Sequence, residues 1–173
     1  MIREITVNDY KAVEKLIFEA FSGSEYGYQN EAELVEKIRA EDTYLKELEL
    51  VEVIEDKIVG HALLSQAVIQ NETKEVINKG LVLAPLSVLP PHQGKGIGKR
   101  LIKALEEKVA NQYSFISILG SPSYYNRFGY EEADHFGIKA SFEVPSEYFL
   151  IKEMTKGGLE SSQGILMYSA AFN

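Results

Sequence analysis

Residues 93–99 read Gln93, Gly94, Lys95, Gly96, Ile97, Gly98 and Lys99, and what stands on either side of them governs the architecture. Glycines two apart carry little by themselves: at roughly 7% glycine per position, about one such pair arises by chance in a chain of this size. Upstream, Gly80 to Leu89 is a nearly continuous apolar run, as expected of a strand buried on both faces, and Pro90 and Pro91 stop it. Downstream, Ile97, Leu101, Leu105 and Val109 recur every four residues, Ile102 and Ala104 widen the stripe, and Lys103, Glu106, Glu107 and Lys108 take the other face. This spacing predicts a helix from about Gly96. A strand, a glycine turn and a helix leave successive backbone N–H groups uncovered where the helix's first donors lack internal partners, and an anion such as phosphate can collect them.

Charge points the same way. Lys95, Lys99, Arg100 and Lys103 sit in or near the first turns, where a cation opposes the helix dipole by a few tenths to about 1 kcal/mol unless an anion is bound. The plain alternative is a glycine-softened loop beside a solvated basic face. Two other phosphate motifs fail. The dinucleotide fingerprint needs a glycine where Lys99 stands, and the P-loop needs a glycine at Gln93 and a Ser or Thr at Arg100.

Gln93, Gly96 and Gly98 fit another pattern: Gln or Arg, two residues, Gly, one residue, then Gly or Ala. A second signature follows in Tyr124, Tyr125, Asn126, Arg127, Phe128, Gly129 and Tyr130. Together they resemble the acyl-CoA cradle and the tyrosine, short helix and Gly-aromatic signature of the GCN5-related N-acetyltransferases (GNAT). Val88 ends its strand as that family's fourth strand does. The order of elements from about Ile2 to Glu132 also matches, and the whole chain is most similar to a bacterial subgroup known only as predicted N-acetyltransferases.

The resemblance implies an α/β (α+β) fold, a mixed, mostly antiparallel central sheet splayed between strands 4 and 5, with helices on both faces. It implies acetyl-CoA as acyl donor, entering that opening. Leu86, Ser87 and Val88 would hold the pantetheine arm, with the Val88 N–H polarising the thioester carbonyl. Gln93, Gly94, Lys95, Gly96, Ile97, Gly98 and Lys99 would cradle the pyrophosphate, and Tyr125, four residues before Gly129, would be the general acid. Before Tyr125 the family's pantetheine-contacting asparagine is not evident: Gly120, Ser121 and Pro122 occupy the turn.

At 173 residues, 45% hydrophobic and 25% charged, residues 1–173 are expected to form a single domain with a sizeable core. A net charge of −8 argues against nucleic acid or an anionic membrane as partner, since both demand a broad basic face. An acidic surface can also attract a cationic amine. There is no cysteine, so disulfide and thiolate chemistry drop out. His61, His92 and His135 lack ligand spacing, so no metal is expected. The opening residues do not read as a signal peptide and no apolar run approaches a membrane span, which makes the cytoplasm the expected location. Monomer and homodimer both remain open.

Ile2, Ile5 and Val7 suggest a first strand, and Asn8 or Asp9 a cap for a helix running to about Phe21 with Val13, Leu16, Ile17 and Ala20 inward. Ser22 to Tyr28 reads as a loop and Leu34 and Ile38 as part of a second helix. Strands are expected over Leu48–Ile54 and Lys57–Ile69, joined by a tight turn at Glu55 and Asp56, with a third hairpin member from near Lys74. Ser114 to Leu119 reads as a buried strand, after which Ser121 can cap, Pro122 open and Gly129 stop a short helix. Segments around Phe136–Phe142, Tyr148–Lys152 and Gln163–Ala171 look strand-like. Pro85 cannot donate to a ladder and is placed to part the strands, or simply marks an irregular strand start.

Acetyl transfer needs a neutral amine, a polarised thioester and help for the departing thiolate. Proton donation from a tyrosine of pKa about 10 to a thiolate of about 8.5 is uphill by roughly 2 kcal/mol, so Tyr125 either has a lowered pKa or serves as a hydrogen-bond donor. Leu81 to Leu89 carries no acid where many family members place a glutamate. Deprotonating a lysine at pH 7 costs about 4.6 kcal/mol against about 1.1 for an α-amine, which tilts the acceptor towards a low-pKa amine unless His61 or Glu25 acts as base through water. The expected acceptor is a primary amine of a small molecule or a peptide terminus, attacking acetyl-CoA directly in a ternary complex. Tyr26 and Tyr28 offer cation–π faces for it, or cover the core. The competing function is a catalytically silent acyl-CoA-binding module that senses cofactor or contacts another protein.

Overall fold

Apolar alternation and helical periodicity build nine strands and four helices in a computed structural model that describes residues 1–173. Hydrogen-bonded strands follow the order β1-β2-β3-β4-β5-β8-β6, with β9 paired to β3 and β7. Met1–Leu64 with Pro85–Lys108 form one compact unit, and Ser65–Ala84 with Val109–Asn173 a second.

In the first unit, β1 (Ile2–Glu4) pairs antiparallel with β2 (Glu49–Ile54), which pairs antiparallel with the start of β3 (Lys57–Gln70). Glu55 and Asp56 join β2 to β3 with φ of 50° and 59°, the paired left-handed residues of a two-residue hairpin turn. A bulge between Glu52 and Val53 shifts the register, so Glu49 faces Leu63 and Val51 faces His61. Glu49, Val51, His61 and Leu63 therefore share one face, and Leu50, Glu52, Gly60 and Ala62 the other.

Helix α1 (Tyr10–Ser22) buries Val13, Leu16 and Ile17, and α2 (Glu31–Arg39) buries Ala32, Val35 and Ile38; Ala20 is only half-buried. Helix α3 (Ile97–Val109) buries Ile97, Leu101, Leu105 and Val109, each contributing roughly 1.5–3 kcal/mol. A Cβ built on Gly60 would stand 2.7 Å from Ile97 Cγ2, so the bare glycine is what lets the first turn of α3 lie on β3.

In the second unit, the 76–84 part of β4 (Val76–Val88) pairs in parallel with β5 (Phe115–Leu119) at Leu81–Ile116, Val82–Ser117 and Leu83–Ile118. The pairs end there, although β4 runs on through Pro85 to Val88, as the expected splay requires. Antiparallel to β5 lies β8 (Phe149–Glu153), which also pairs with the short β6 (Glu131–Glu132). A second parallel pair joins β7 (Ile138–Ala140) to β9 (Gly164–Tyr168), and β9 runs antiparallel to Ala67–Gln70. Phe115, Ile138, Phe149, Ile151 and Leu166 meet in this unit's core.

Several sequence expectations shift. Val7 is exposed in a 3-10 turn instead of extending the first strand, and neither Asn8 nor Asp9 caps α1 through its side chain. Asp9 instead accepts from Arg3 at 2.7 and 2.9 Å and from the Thr6 N–H at 2.7 Å. The stretches near Lys74 and Gly80 are one strand, because the turn closes early with the Asn71 N–H donating to the Glu75 carbonyl at 3.0 Å. Phe136 belongs to a 3-10 turn that Gly137 ends at φ 72°, leaving only Ile138–Ala140 as strand. Ser121 does stand before helix α4 (Pro122–Tyr125), but its hydroxyl meets Ser123 Oγ at 2.9 Å and not a helix N–H.

Candidate functional site

The cradle begins where β4 ends. The Leu89 N–H donates to the Val59 carbonyl at 2.9 Å, pinning the strand's end to β3, and a 3-10 turn over Pro90–His92 follows. Gln93 turns its side chain onto the protein: Nε2 donates to the Val88 carbonyl at 3.0 Å, bracing the loop against the strand. Gly94 and Gly96 hold φ of 76° and 81°, where L-residues are strained, and a Cβ on Gly94 would meet no atom within 4 Å. The loop's concave backbone is thus open to an incoming group. The first helical bond runs from the Arg100 N–H to the Gly96 carbonyl at 3.0 Å, which leaves the N–H groups of Ile97, Gly98 and Lys99 without intrahelical acceptors.

Side chains divide the labour. Lys95 and Lys99 are exposed beside these donors, while Ile97 and Gly98 are buried and seat the helix. Arg100 is occupied: Nε and Nη2 donate to Glu52 Oε1 at 2.9 and 2.7 Å, and Nη1 to the Lys95 carbonyl at 3.3 Å. Burial opposes ionisation of Glu52, yet the hydrogen bonds from Arg100 and the terminal amine outweigh it and hold the carboxyl below its usual range. Arg100 therefore props the loop from behind. Leu86 and Val88 are half-buried, and Ser87 is 2% exposed with its hydroxyl lacking a protein partner.

Tyr125 ends α4, its N–H donating to the Ser121 carbonyl at 3.1 Å, and Gly129 closes the following turn at φ 93°. Its ring lies on Gly120, where a Cβ would fall 2.5 Å from Cε2, and is met edge-on by Tyr124 at 4.8 Å and Tyr130 at 6.2 Å. Glycine at 120, where the family's asparagine was sought nearby, is thus a steric requirement of the tyrosine. Burial, with a smaller push from Tyr124, raises the Tyr125 phenol above its ordinary value, so it is a neutral hydrogen-bond donor at physiological pH.

The base candidates separate. Glu25 is exposed on the loop after α1. His61 is 0% exposed, and its Nε2 lies 2.9 Å from Glu49 Oε1. Glu49, also 0% exposed, accepts from Arg39 Nη2 at 2.5 Å and from the Tyr44 hydroxyl at 2.6 Å. Burial works against this carboxylate, but the hydrogen bonds from His61, Arg39 and Tyr44 prevail and hold it at about 2. Tyr28 is engaged as well, donating to Glu33 and packing edge-on against Phe18 at 5.1 Å, whereas Tyr26 is 77% exposed.

Gly60, Glu52 and the Glu49 cluster are the residues sequence reasoning missed. Two acids inside the apolar run Leu48–Ile54 were the available signal, since a buried carboxylate must be paired.

A family model described as the acetyltransferase (GNAT) domain matches residues 42–132. Over 125 residues the chain is 33% identical to YjhQ, an uncharacterized N-acetyltransferase of Escherichia coli K12, the match covering 71% of this chain and 68% of that one. The solved structure of the GNAT family N-acetyltransferase YhbS from Escherichia coli, in complex with CoA, shares 26% identity and a TM-score of 0.83 over 100% of this chain and 91% of its own. A GNAT family acetyltransferase from Brucella melitensis, in complex with acetyl-CoA, shares 28% identity and a TM-score of 0.79 over 100% of this chain and 97% of its own. The matched segment holds both the glycine cradle and the tyrosine signature, and the chain belongs to the GNAT acetyltransferase family.

Proposed function

We propose that this protein transfers the acetyl group of acetyl-CoA to a primary amine of a small molecule or a peptide terminus, by direct attack in a ternary complex. The observation that carries this is the cradle: two left-handed glycines and three helix N-terminal donors, with Lys95 and Lys99 beside them, form a complement to a pyrophosphate. Solved relatives named with CoA and acetyl-CoA support the same donor.

In this scheme Gln93, Gly94, Lys95, Gly96, Ile97, Gly98 and Lys99 form the pyrophosphate seat, Gln93 by bracing and Ile97 by anchoring it. Backbone groups of Leu86, Ser87 and Val88 run along the pantetheine arm, and the Val88 N–H polarises the thioester carbonyl. The amine's lone pair forms the C–N bond as the C–S bond breaks. Tyr125 donates a hydrogen bond to the sulfur, and its raised pKa makes it a stabiliser of the departing thiolate, with the proton itself coming from the attacking nitrogen.

Thiol release from acetyl-CoA over a panel of polyamines, amino acids, aminoglycosides and short peptides tests this, with wild type and Tyr125→Phe side by side. Amine-dependent release is expected, with kcat in the variant lower by about 10- to 100-fold and KM for acetyl-CoA little changed. Undiminished turnover in Tyr125→Phe would remove the tyrosine's role. Cofactor binding without release would point to the silent binding module.

A further inference from the structure

We infer that His61, oriented by Glu49, is the group that takes the proton from the acceptor's ammonium; this rests on the acetyl-transfer function proposed above. Glu49 is ionised and can only accept, so His61 Nε2 must carry the hydrogen that lies between them at 2.9 Å. That fixes the tautomer. The other nitrogen, Nδ1, then presents a lone pair, and it has no protein partner although the residue is 0% exposed. The bond to Glu49 accounts for Nε2 but not for Nδ1, since an unpaired buried acceptor is destabilising.

The position suits the task. The Leu89 N–H meets the Val59 carbonyl at 2.9 Å, and two residues from that bond on each strand stand His61 on β3 and Ser87 on β4. Ser87 is the second buried polar side chain here without a partner, and it lies between Leu86 and Val88 on the strand proposed to run beside the thioester. In this proposal a water bridging Ser87 Oγ and His61 Nδ1, the two unpartnered buried atoms, would carry the proton from β4 to the imidazole. The charged group on the imidazole is Glu49 from β2, and behind it Arg39 of α2 and Tyr44 from the segment between them bond the same carboxylate, with Tyr10 of α1 beneath the Arg39 guanidinium at 3.8 Å. Arg39 neutralises Glu49, while Glu49 stabilises the imidazolium as it forms.

The proton count closes. The ammonium gives one proton through the water to Nδ1, and the neutral amine attacks the acetyl carbon. As the C–S bond breaks, the nitrogen's second proton passes to the sulfur. Products are the amide, CoA thiol and one proton on His61, which returns to solvent when they leave.

The test is the pH profile of His61→Gln, whose side-chain amide keeps a donor towards Glu49 but offers no basic nitrogen in place of Nδ1, since an amide oxygen accepts a hydrogen bond without taking up a proton near neutral pH. For an amine that wild type acetylates, kcat/KM of the variant at pH 7 should fall by about 10²- to 10³-fold. The defect should shrink as pH rises towards the amine's own pKa, because the neutral amine then arrives without needing a base. KM for acetyl-CoA should stay within about twofold, since the cradle is untouched. An active wild type with a variant profile that is parallel to it, or within about threefold at every pH, would overturn the role of His61 alone. Nitrogen-15 spectra of the imidazole give a readout independent of turnover: hydrogen at Nε2 and a bare Nδ1 are expected at pH 7, and hydrogen at Nδ1 in resting protein would overturn it. A wild type that binds acetyl-CoA yet acetylates no amine would instead overturn the transferase function, and this inference with it.

Discussion

Glu49 and Glu52 stand three residues apart on β2, both buried, on opposite faces of the same strand, and they are neutralised in different ways. Glu49 is closed in by Arg39, Tyr44 and His61, and Arg39 itself is only 12% exposed. Glu52 is held by Arg100, which is 48% exposed and reaches it from the first turn of the cradle helix. The inner carboxylate holds an imidazole; the outer one, through Arg100, braces the glycine turn proposed to seat a phosphate. Burial of a charge alone says little about its role, whereas the identity and exposure of its partner say a good deal.

Removing each carboxylate is the strongest way to break this comparison. Glu49→Ala leaves Arg39 and His61 without their acceptor in a closed environment and should cost about 3–5 kcal/mol in urea unfolding. Glu52→Ala frees a guanidinium that water can reach, and should cost about 1 kcal/mol. Equal losses would show that the two sites are energetically alike.

Acid unfolding sharpens the contrast with a smaller effect. Glu49 is held at about 2 by hydrogen bonds from His61 and Arg39 that overcome its burial, and Asp9 is held at about 2 chiefly by its hydrogen bonds from Arg3. Both folded values lie below the ordinary carboxylate range, so the unfolded chain binds more protons there. Their stabilisation is complete above about pH 4–5 and drains away as pH falls towards about 2. Urea midpoints measured from pH 6 to pH 2 should drop through that window in wild type, and the drop should be shallower in Glu49→Ala.

The two sites also differ in how far the sequence could reveal them. The glycine turn was legible because its signal is local: Gln93, Gly94, Gly96 and the first turn of α3 lie within a few residues, and backbone conformation dictates glycine there. The short helix that carries Tyr125 was legible for the same reason, with Gly129 fixing the end of the turn that follows it. The Glu49–His61 contact was not. A two-residue turn at Glu55 and Asp56, counted without interruption, sets Glu49 opposite Ala62 and puts His61 on the other face. The bulge between Glu52 and Val53 slips the pairing by one residue and brings Glu49 opposite Leu63, on the face that His61 shares. Nothing in the residue types announces that bulge. The late strands were blurred for a different reason: β6, β7 and β9 are 2, 3 and 5 residues long, too short to establish a period.

The most direct test of the central claim is a calorimetric comparison of acetyl-CoA with acetyl-pantetheine, which keeps the thioester arm but lacks the pyrophosphate. If residues 93–99 are the seat described, acetyl-CoA should bind at least about 100-fold more tightly, because several backbone donors and two lysines lose their anion in the shorter ligand. Equal affinities would contradict the account, placing the binding energy elsewhere and leaving the glycine turn an ordinary loop.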